Sequence, residues 1–562
     1  MNAPETSVPR SPFVPLALLT LVGLLTLTPG SATLPLLDRD EPRFARATVE
    51  MMRSGDWVVP YFNGSFRFDK PVLTYWLMSV GYRLFGIGEF GARAHSIMAA
   101  ILTAFVIYGM GRRLFGSTAG LLAGFGWLTS MQTLIHGRSA VADMPMVLFV
   151  ALAQWSLYEL LHGEREGERR WWFLSAYLSL GLGFLAKGPV ALFVPLLTLV
   201  LYRALRRTRI PWRRLRIAEG ALIVAGIAAV WGVPALMQTR GLFWAEGMNK
   251  HVIERGFQAF NNRRVIPLLY YPLTLFFSLF PWIAFAGVAI ARVRPIREPR
   301  HAFLIAWLAA PFLIFGFYAT QLPHYTMPGF PAALLCIGYA LSRPPDLRPW
   351  HERFFYSVIG LFGLLAIAAA IFAAVWPLPT LEPLRWAAAG FAVVLGGLAA
   401  LAMLFRRGKT TAIVLPLGAV AIGFALLGYG VRSVHPALRL APWVAASPAE
   451  APWAAWRYTE PTLVFYGDRQ RPWRMLGTRE DLSAAVSGPH RPAAIVVLEY
   501  EAKLDRLLRA GRLANPRSIA RDFTGETGDI LRAAGYRPGP TIEGLNTGRG
   551  SWVALRVWHA PP

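Results

Sequence analysis

Thirteen stretches in which apolar residues run almost without interruption fill most of the first 430 positions: 12–34, 91–111, 118–135, 141–161, 171–186, 188–204, 217–238, 267–291, 301–319, 328–342, 354–376, 386–405 and 411–430. Each approaches the ~20 residues that an α-helix needs to cross the hydrocarbon core of a bilayer. The pattern therefore predicts a polytopic α-helical membrane protein with thirteen spans. Beyond residue 432 the pattern changes. "PTLVFYG", "AAIVVLEY", "GPTIEGLN" and "SWVALRVWH" read as strands, and "EAKLDRLLRAGRL" and "TGDILRAAG" as helices between them. Such alternation predicts a small α/β domain over 432–562, attached to a membrane part over 1–431.

A third pattern occupies residues 38–90, between the first two apolar stretches. "DEPRFARATVEMMRSG" sets Phe44, Ala47, Val49 and Met51 or Met52 at helical spacing opposite Glu41, Arg43, Arg46 and Glu50, and Gly55 is a natural stop. "DKPVLTYWLMSVGYRLFG" reads as a second amphipathic helix, with proline near its first turn and Tyr75 and Trp76 suited to a membrane interface. Two such helices on the membrane surface would hold Asp40 and Lys70 near it. Ordered connections this long are usually functional.

Charge orients the spans. The chain is 55% hydrophobic and only 16% charged, yet its net charge is +25. The loops after spans 2, 4, 6, 8, 10 and 12 together hold 22 Arg and Lys residues, which places them and the N-terminus in the cytoplasm. Residues 38–90 and the C-terminal domain then lie outside it. The positive charge is thus a topology signal, and nucleic acid is excluded as a partner. "PGSATLP" leaves open a signal peptide in place of the first span, without changing the orientation of the rest. A single cysteine, Cys336, excludes an intramolecular disulfide and a cysteine metal cluster.

"DEPRFA", "SGDWVVPYFNGSFRFDKPVLTYW", "RSAVADMPM", "LAKGP" and "LPHYTMPGFPAALL" occur in that order along the membrane part. In them the chain resembles the bacterial polyprenyl-phosphate-sugar-dependent glycosyltransferases of the GT-C superfamily. Within it, the chain looks most like the ArnT-like aminoarabinose transferases that modify lipid A, and is similar more distantly to protein O-mannosyltransferases. The resemblance implies thirteen spans and a periplasmic domain in a bacterial inner membrane. It implies an undecaprenyl phosphate sugar donor, a lipid A acceptor, membrane lipid as surroundings, no required cofactor and no essential metal; a monomer is expected because thirteen spans can bury their own faces. It also implies site residues: Asp40 at the reaction centre with Glu41 beside it, Lys70, Asp143 of "DMP", Arg255 of "HVIERGF", and Tyr325 of "LPHY" next to His324. The chain departs from the family pattern at Asp69, where glutamate is usual, and at Arg67, where a tyrosine is usual.

The chemistry asks for these residue types. Breaking the bond between the anomeric carbon and a phosphate oxygen builds negative charge on the leaving phosphate, and preorganised cations there lower the barrier most. Lys70, Arg43 and Arg255 are the candidates, arginine as a fork and lysine as a compact charge. Toward a hydroxyl acceptor Asp40 would act as base. Toward an ionised lipid A phosphate it would orient groups instead. Direct attack inverts the anomeric carbon in both cases.

Blander readings stand beside these. Asp40 and Glu41 suit the positive end of a helix, and Lys70 suits a snorkelling position. Three of only five lysines, Lys70, Lys187 and Lys250, nevertheless fall on the outer side, against the charge rule. Asp143 calls for a partner, Lys70 or Arg138. His324 and Tyr325 suit interface anchors. His251 and Asp69 are possible ligands of an adventitious metal, and Phe243, Trp244, Phe257 and Phe260 either line a polyprenyl path or face lipid. A transporter would show repeats and mid-membrane acids, whereas the sequence has no repeat and almost no acids at mid-depth of its spans, and an idle scaffold would not need Asp40 and Lys70.

Overall fold

A computed structural model of the chain describes residues 13–37, 39–207, 209–248, 269–294, 297–343, 348–375, 383–504, 506 and 516–561. Helix α1 (Phe13–Leu27) leads into α2 (Asp40–Ser54), a small hairpin of β1 (Tyr61–Phe62) and β2 (Ser65–Phe66), and α3 (Leu73–Phe85). Next come α4 (Glu89–Phe115), α5 (Ser117–Thr129), α6 (Met131–His136), α7 (Asp143–His162), α8 (Glu166–Lys187), α9 (Val190–Arg206), α10 (Trp212–Leu215), α11 (Ile217–Gln238) and α12 (Leu242–Met248). From residue 270 the order is α13 (Tyr270–Ser278), a 3-10 turn (Trp282–Phe285), α14 (Ala286–Arg292), α15 (Pro299–Gly316), a 3-10 turn (Pro323–Gly329) and α16 (Phe330–Leu341). Three long helices close the membrane part: α17 (Pro349–Val375), α18 (Pro383–Arg406) and α19 (Val414–Ser433).

Helix lies on every apolar stretch that the sequence marks, and the number of long apolar helices is that of a multi-pass membrane protein. Among the described residues seven helices are long and apolar enough to cross a membrane, and the pair α13 and Trp282–Arg292, bent by 108°, would make an eighth. The expected count of thirteen is not reached by that measure. Helix α1 is short at 15 residues, and the run 118–135 breaks at Ser130, whose backbone is extended (ψ 142°).

Both helices of the 38–90 segment form as expected. Gly55 ends α2 in the left-handed region (φ 73°), its N–H bonding to the Met51 carbonyl at 3.0 Å. Yet α2 is no surface helix: nine of its residues are buried, Glu41 and Arg46 among them. It packs against α3 on one side and the C-terminal domain on the other.

That domain carries α20 (Pro436–Ala445), β3 (Trp453–Trp456), α21 (Pro461–Tyr466), β4 (Arg474–Leu476), α22 (Arg479–Ser487), β5 (Ala494–Lys503), β6 (Arg521–Asp522), α23 (Thr524–Ala533), β7 (Arg537–Asn546) and β8 (Ser551–His559). The sheet runs β4-β3-β5-β8-β7, with β3 parallel to β4 and β5, β8 antiparallel to β5 and β7, and β6 on the end of β5. Three of the expected strands are β5, β7 and β8. The fourth, "PTLVFYG", is helix α21, with Pro461 in its first turn and five of its six residues buried. A short run apolar on every side carries no period to separate strand from helix. Of "EAKLDRLLRAGRL", Glu501–Lys503 extends β5, and most of the remainder lies outside the described residues.

Candidate functional site

The N-terminal end of α2 is fixed from its buried side. Arg93, fully buried on α4, donates through Nε and Nη2 to both Glu41 carboxylate oxygens at 3.0 Å each. The same guanidinium donates to the carbonyls of Ser31 at 2.9 Å, Leu34 at 2.5 Å and Pro35 at 2.8 Å. Glu41 also accepts the backbone N–H of Leu37 at 2.8 Å and of Ala140 at 2.7 Å. Its carboxylate is therefore held by the protein on several sides, at the edge of a polar cavity. The Ala140 bond ties the first turn of α2 to the segment that leads into α7, and the Arg93 bonds tie it to α4. Asp40, one residue earlier, remains exposed and borders a cavity.

This polar cavity has a volume of about 230 Å³. Asp40 and Arg43 of α2 line one wall, and Arg67, Asp69 and Lys70 of the loop before α3 line another. His136 and Asp143 come from the gap between α6 and α7, Lys187 from the end of α8, and His324 and Tyr325 from the turn Pro323–Gly329. Of the predicted site residues, Asp40, Glu41, Arg43, Arg67, Lys70, Asp143, His324 and Tyr325 are thus brought together. Arg255 lies outside the described residues, as do Lys250, His251, Phe257 and Phe260.

Asp143 pairs with neither of its expected partners. Arg138 spends its guanidinium on the carbonyls of Thr26, Pro29 and Leu134 and stacks on Phe424. The partner of Asp143 is Lys187, whose ammonium donates to Oδ1. His324 Nε2 stands 3.8 Å from the same oxygen. Burial pushes the His324 imidazole down to about 3, with Asp143 opposing the shift and His136 and Lys187 adding to it. His324 is therefore neutral across the physiological range. Arg67 is held on three sides, with Nε donating to the Tyr75 hydroxyl at 2.9 Å, Nη1 2.8 Å from Asp69, and the guanidinium over the Phe44 ring. Lys70 donates to its neighbour's carbonyl, Asp69 O, at 3.0 Å.

A second cavity, of about 340 Å³, meets the first at Asp69, Lys70 and Lys187. Its other walls are apolar, drawn from α11 (Ala228–Leu236, with Trp231) and from Phe243 and Trp244 of α12. Two of the four aromatics singled out in the sequence therefore line a path that ends at two ammonium groups. Sequence reasoning marked Lys187 by its place on the outer side, against the charge rule, and did not single out His136 or Arg93. "LAKGP" carried the signal for Lys187, whereas nothing in the sequence links Arg93 to Glu41, 52 positions away.

Residues 69–231 match the family model described as dolichyl-phosphate-mannose-protein mannosyltransferase. The chain is 31% identical over 332 residues to an undecaprenyl phosphate-alpha-4-amino-4-deoxy-L-arabinose arabinosyl transferase of Edwardsiella ictaluri, covering 58% of each chain. It is 32% identical over 356 residues to the protein so named in Aeromonas salmonicida, covering 61% of this chain and 63% of that one. The match thus spans about three fifths of the length of these curated relatives. The crystal structure of ArnT from Cupriavidus metallidurans has the same fold, with a TM-score of 0.72, 23% identity and 97% of both chains covered. The same protein bound to undecaprenyl phosphate gives 0.71, 22% and 97% of both chains. The chain is thus similar in sequence to these transferases over about three fifths of its length and shares the fold of the Cupriavidus metallidurans ArnT over almost its whole length.

Proposed function

We propose that the chain is an inverting glycosyltransferase that moves 4-amino-4-deoxy-L-arabinose from undecaprenyl phosphate to a lipid A phosphate. The site would lie at the periplasmic face of a bacterial inner membrane. The observation that carries this reading is the junction of the two cavities, where Lys70 and Lys187 stand between an apolar path and a polar chamber containing Asp40 and Asp143. An apolar path suits a polyprenyl chain, and two ammonium groups at its end suit the phosphate that the chain carries.

As the bond from the anomeric carbon to the phosphate oxygen breaks, its electron pair stays on the polyprenyl phosphate, where Lys70 and Lys187 offset the added charge. The acceptor oxygen forms the new bond from the opposite face. A lipid A phosphate arrives ionised, so no proton has to be removed, and Asp40 orients the sugar and the cations. These cations belong to the protein itself, so the proposed reaction calls for no cofactor. The periplasmic placement rests on the arginine-rich loops, which put α2 and the C-terminal domain on the opposite side of the membrane.

A second reading, transfer of a hexose to a protein or glycan hydroxyl, draws on the matched mannosyltransferase family model and on Arg67, locked in place where a tyrosine was expected. In that case Asp40 takes the acceptor's proton. Mass spectrometry of lipid A from cells with and without the protein, and with Asp40→Asn, separates the two. A pentosamine increment with wild type that is absent with the variant supports the first reading. Unchanged lipid A in cells shown to make the donor overturns it.

A further inference from the structure

Within the polar cavity lies a set of donors to which the proposed transfer assigns no step of its own. His136 ends α6, Asp143 begins α7 and His324 sits in the turn Pro323–Gly329, so three separate segments meet. One ligand atom from each lies within 4.8 Å of the other two. The rings of His136 and His324 face each other with centroids 4.6 Å apart. His324 Nε2 and Asp143 Oδ1 are 3.8 Å apart, too far for a hydrogen bond and suited to an atom between them. His136 is held through Nδ1 by Gln132 at 2.8 Å, which leaves Nε2 as its other ligand atom.

Two imidazoles and a carboxylate are the donor set of a borderline-soft divalent cation, with a fourth position left for water or a phosphate oxygen. We infer that His136, Asp143 and His324 bind a divalent cation of the zinc class, in exchange with Lys187 for the Asp143 carboxylate. The exchange follows from charge. The Lys187 ammonium holds Oδ1 of Asp143, and a doubly charged ion at the same carboxylate repels it. Metal binding therefore drives the lysine toward the junction with the apolar cavity, which it also lines. Bonds of about 2.0 Å in a tetrahedral site put ligand atoms about 3.3 Å apart, so the donors close in by modest side-chain rotations.

As placed, Ser278 Oγ donates to Gln132 Oε1 at 3.0 Å and Gln132 Nε2 faces His136 Nδ1 at 2.8 Å; the hydroxyl can equally accept from the amide nitrogen once the amide is turned over. With that amide turned so that its oxygen accepts from Nδ1–H, the Nε2 lone pair of His136 is free for the ion. On the transferase reading, the cation controls where the charge of Lys187 sits and takes no part in bond making.

The test uses the purified full-length chain in nanodiscs, stripped with a chelator and titrated with Zn²⁺ alone by calorimetry, and with Co²⁺ followed by its visible absorption. One equivalent is expected. His136→Ala and His324→Ala should each weaken binding at least tenfold, with His490→Ala, an exposed histidine of the C-terminal domain, as the unaffected control. Lys187→Met should tighten it, because the competing ammonium is gone. No saturable binding, or binding indifferent to both histidine variants, overturns the site, and unchanged affinity in Lys187→Met overturns the exchange. Should a histidine variant fail to fold, X-ray absorption of wild type with Zn²⁺ decides, since fewer than two imidazoles in the first shell overturns the assignment. No transfer assay enters, so failure of the transferase reading and failure of this one are told apart.

Discussion

Asp40 and Glu41 are neighbours with the same charge and unlike roles, and burial separates them. Asp40 is exposed to the cavity, whereas Glu41 is 5% exposed and bound to a guanidinium that is itself wholly buried. Removing one partner of such a pair leaves an uncompensated charge in a low dielectric, at a cost of about 3–5 kcal/mol. Arg93→Ala should therefore lower the melting temperature in detergent markedly, and Arg93→Met combined with Glu41→Gln should recover much of the loss. A single variant that melts with wild type would show that the pair does not hold the site. On the proposed transfer Lys187 meets the leaving phosphate, so Lys187→Ala should cut kcat by about 10²–10³, and it should also lower the melting temperature, because the buried Asp143 carboxylate loses its ammonium partner. Asp40 and Lys70 were readable from the sequence because short local motifs carry them. Arg93 and His136 were not, because their meaning depends on partners in other helices.

Helix identity followed from apolar runs, and helix packing follows from where side chains are missing. Gly120 of α5 faces α4, and a Cβ there would stand 2.5 Å from the Tyr108 carbonyl oxygen and 2.7 Å from the Arg112 amide nitrogen. Small residues at such crossings let helix backbones approach within a membrane. Gly120→Leu should force α4 and α5 apart and cost at least about 1–3 kcal/mol of overpacking. Gly226 of α11 has nothing within 4 Å of its Cβ position. Gly226→Leu should be neutral or slightly stabilising, since leucine is the better helix former. Thermal melts of the two variants against wild type check both expectations, and equal loss in both would refute the packing argument. The same contrast explains α21: its apolar residues are buried on all sides, and the sequence offered no period to read.

At the scale of the whole molecule, the C-terminal domain grips the helix that presents Asp40. The sequence foretold three of that domain's strands, β5, β7 and β8, but not this grip, whose contacts span more than 400 positions. Asp468 receives Arg46 Nη1 at 2.6 Å and Arg53 Nη1 at 2.8 Å, both from α2. Asn63 beside the β1–β2 hairpin exchanges two hydrogen bonds with the Trp473 backbone, at 2.9 and 2.7 Å. Burial alone would raise the Asp468 carboxyl, but Arg53 and Arg46 outweigh it and hold the carboxyl below its usual range. A carboxyl lowered in the folded state contributes stability above its unfolded value, near about 4, and loses it as pH falls through the folded value. Hydrogen exchange of the α2 amides should therefore show steady protection from neutrality down to about pH 4 and a decline below it. In Asp468→Asn the protection of α2 should already be lower at neutral pH, and the Asp468 share of the acid decline should vanish. Equal protection in variant and wild type at neutral pH would mean that the domain holds α2 through Asn63 and the apolar contacts of α21 alone. The charged clasp would then have no part in keeping Asp40 at the cavity.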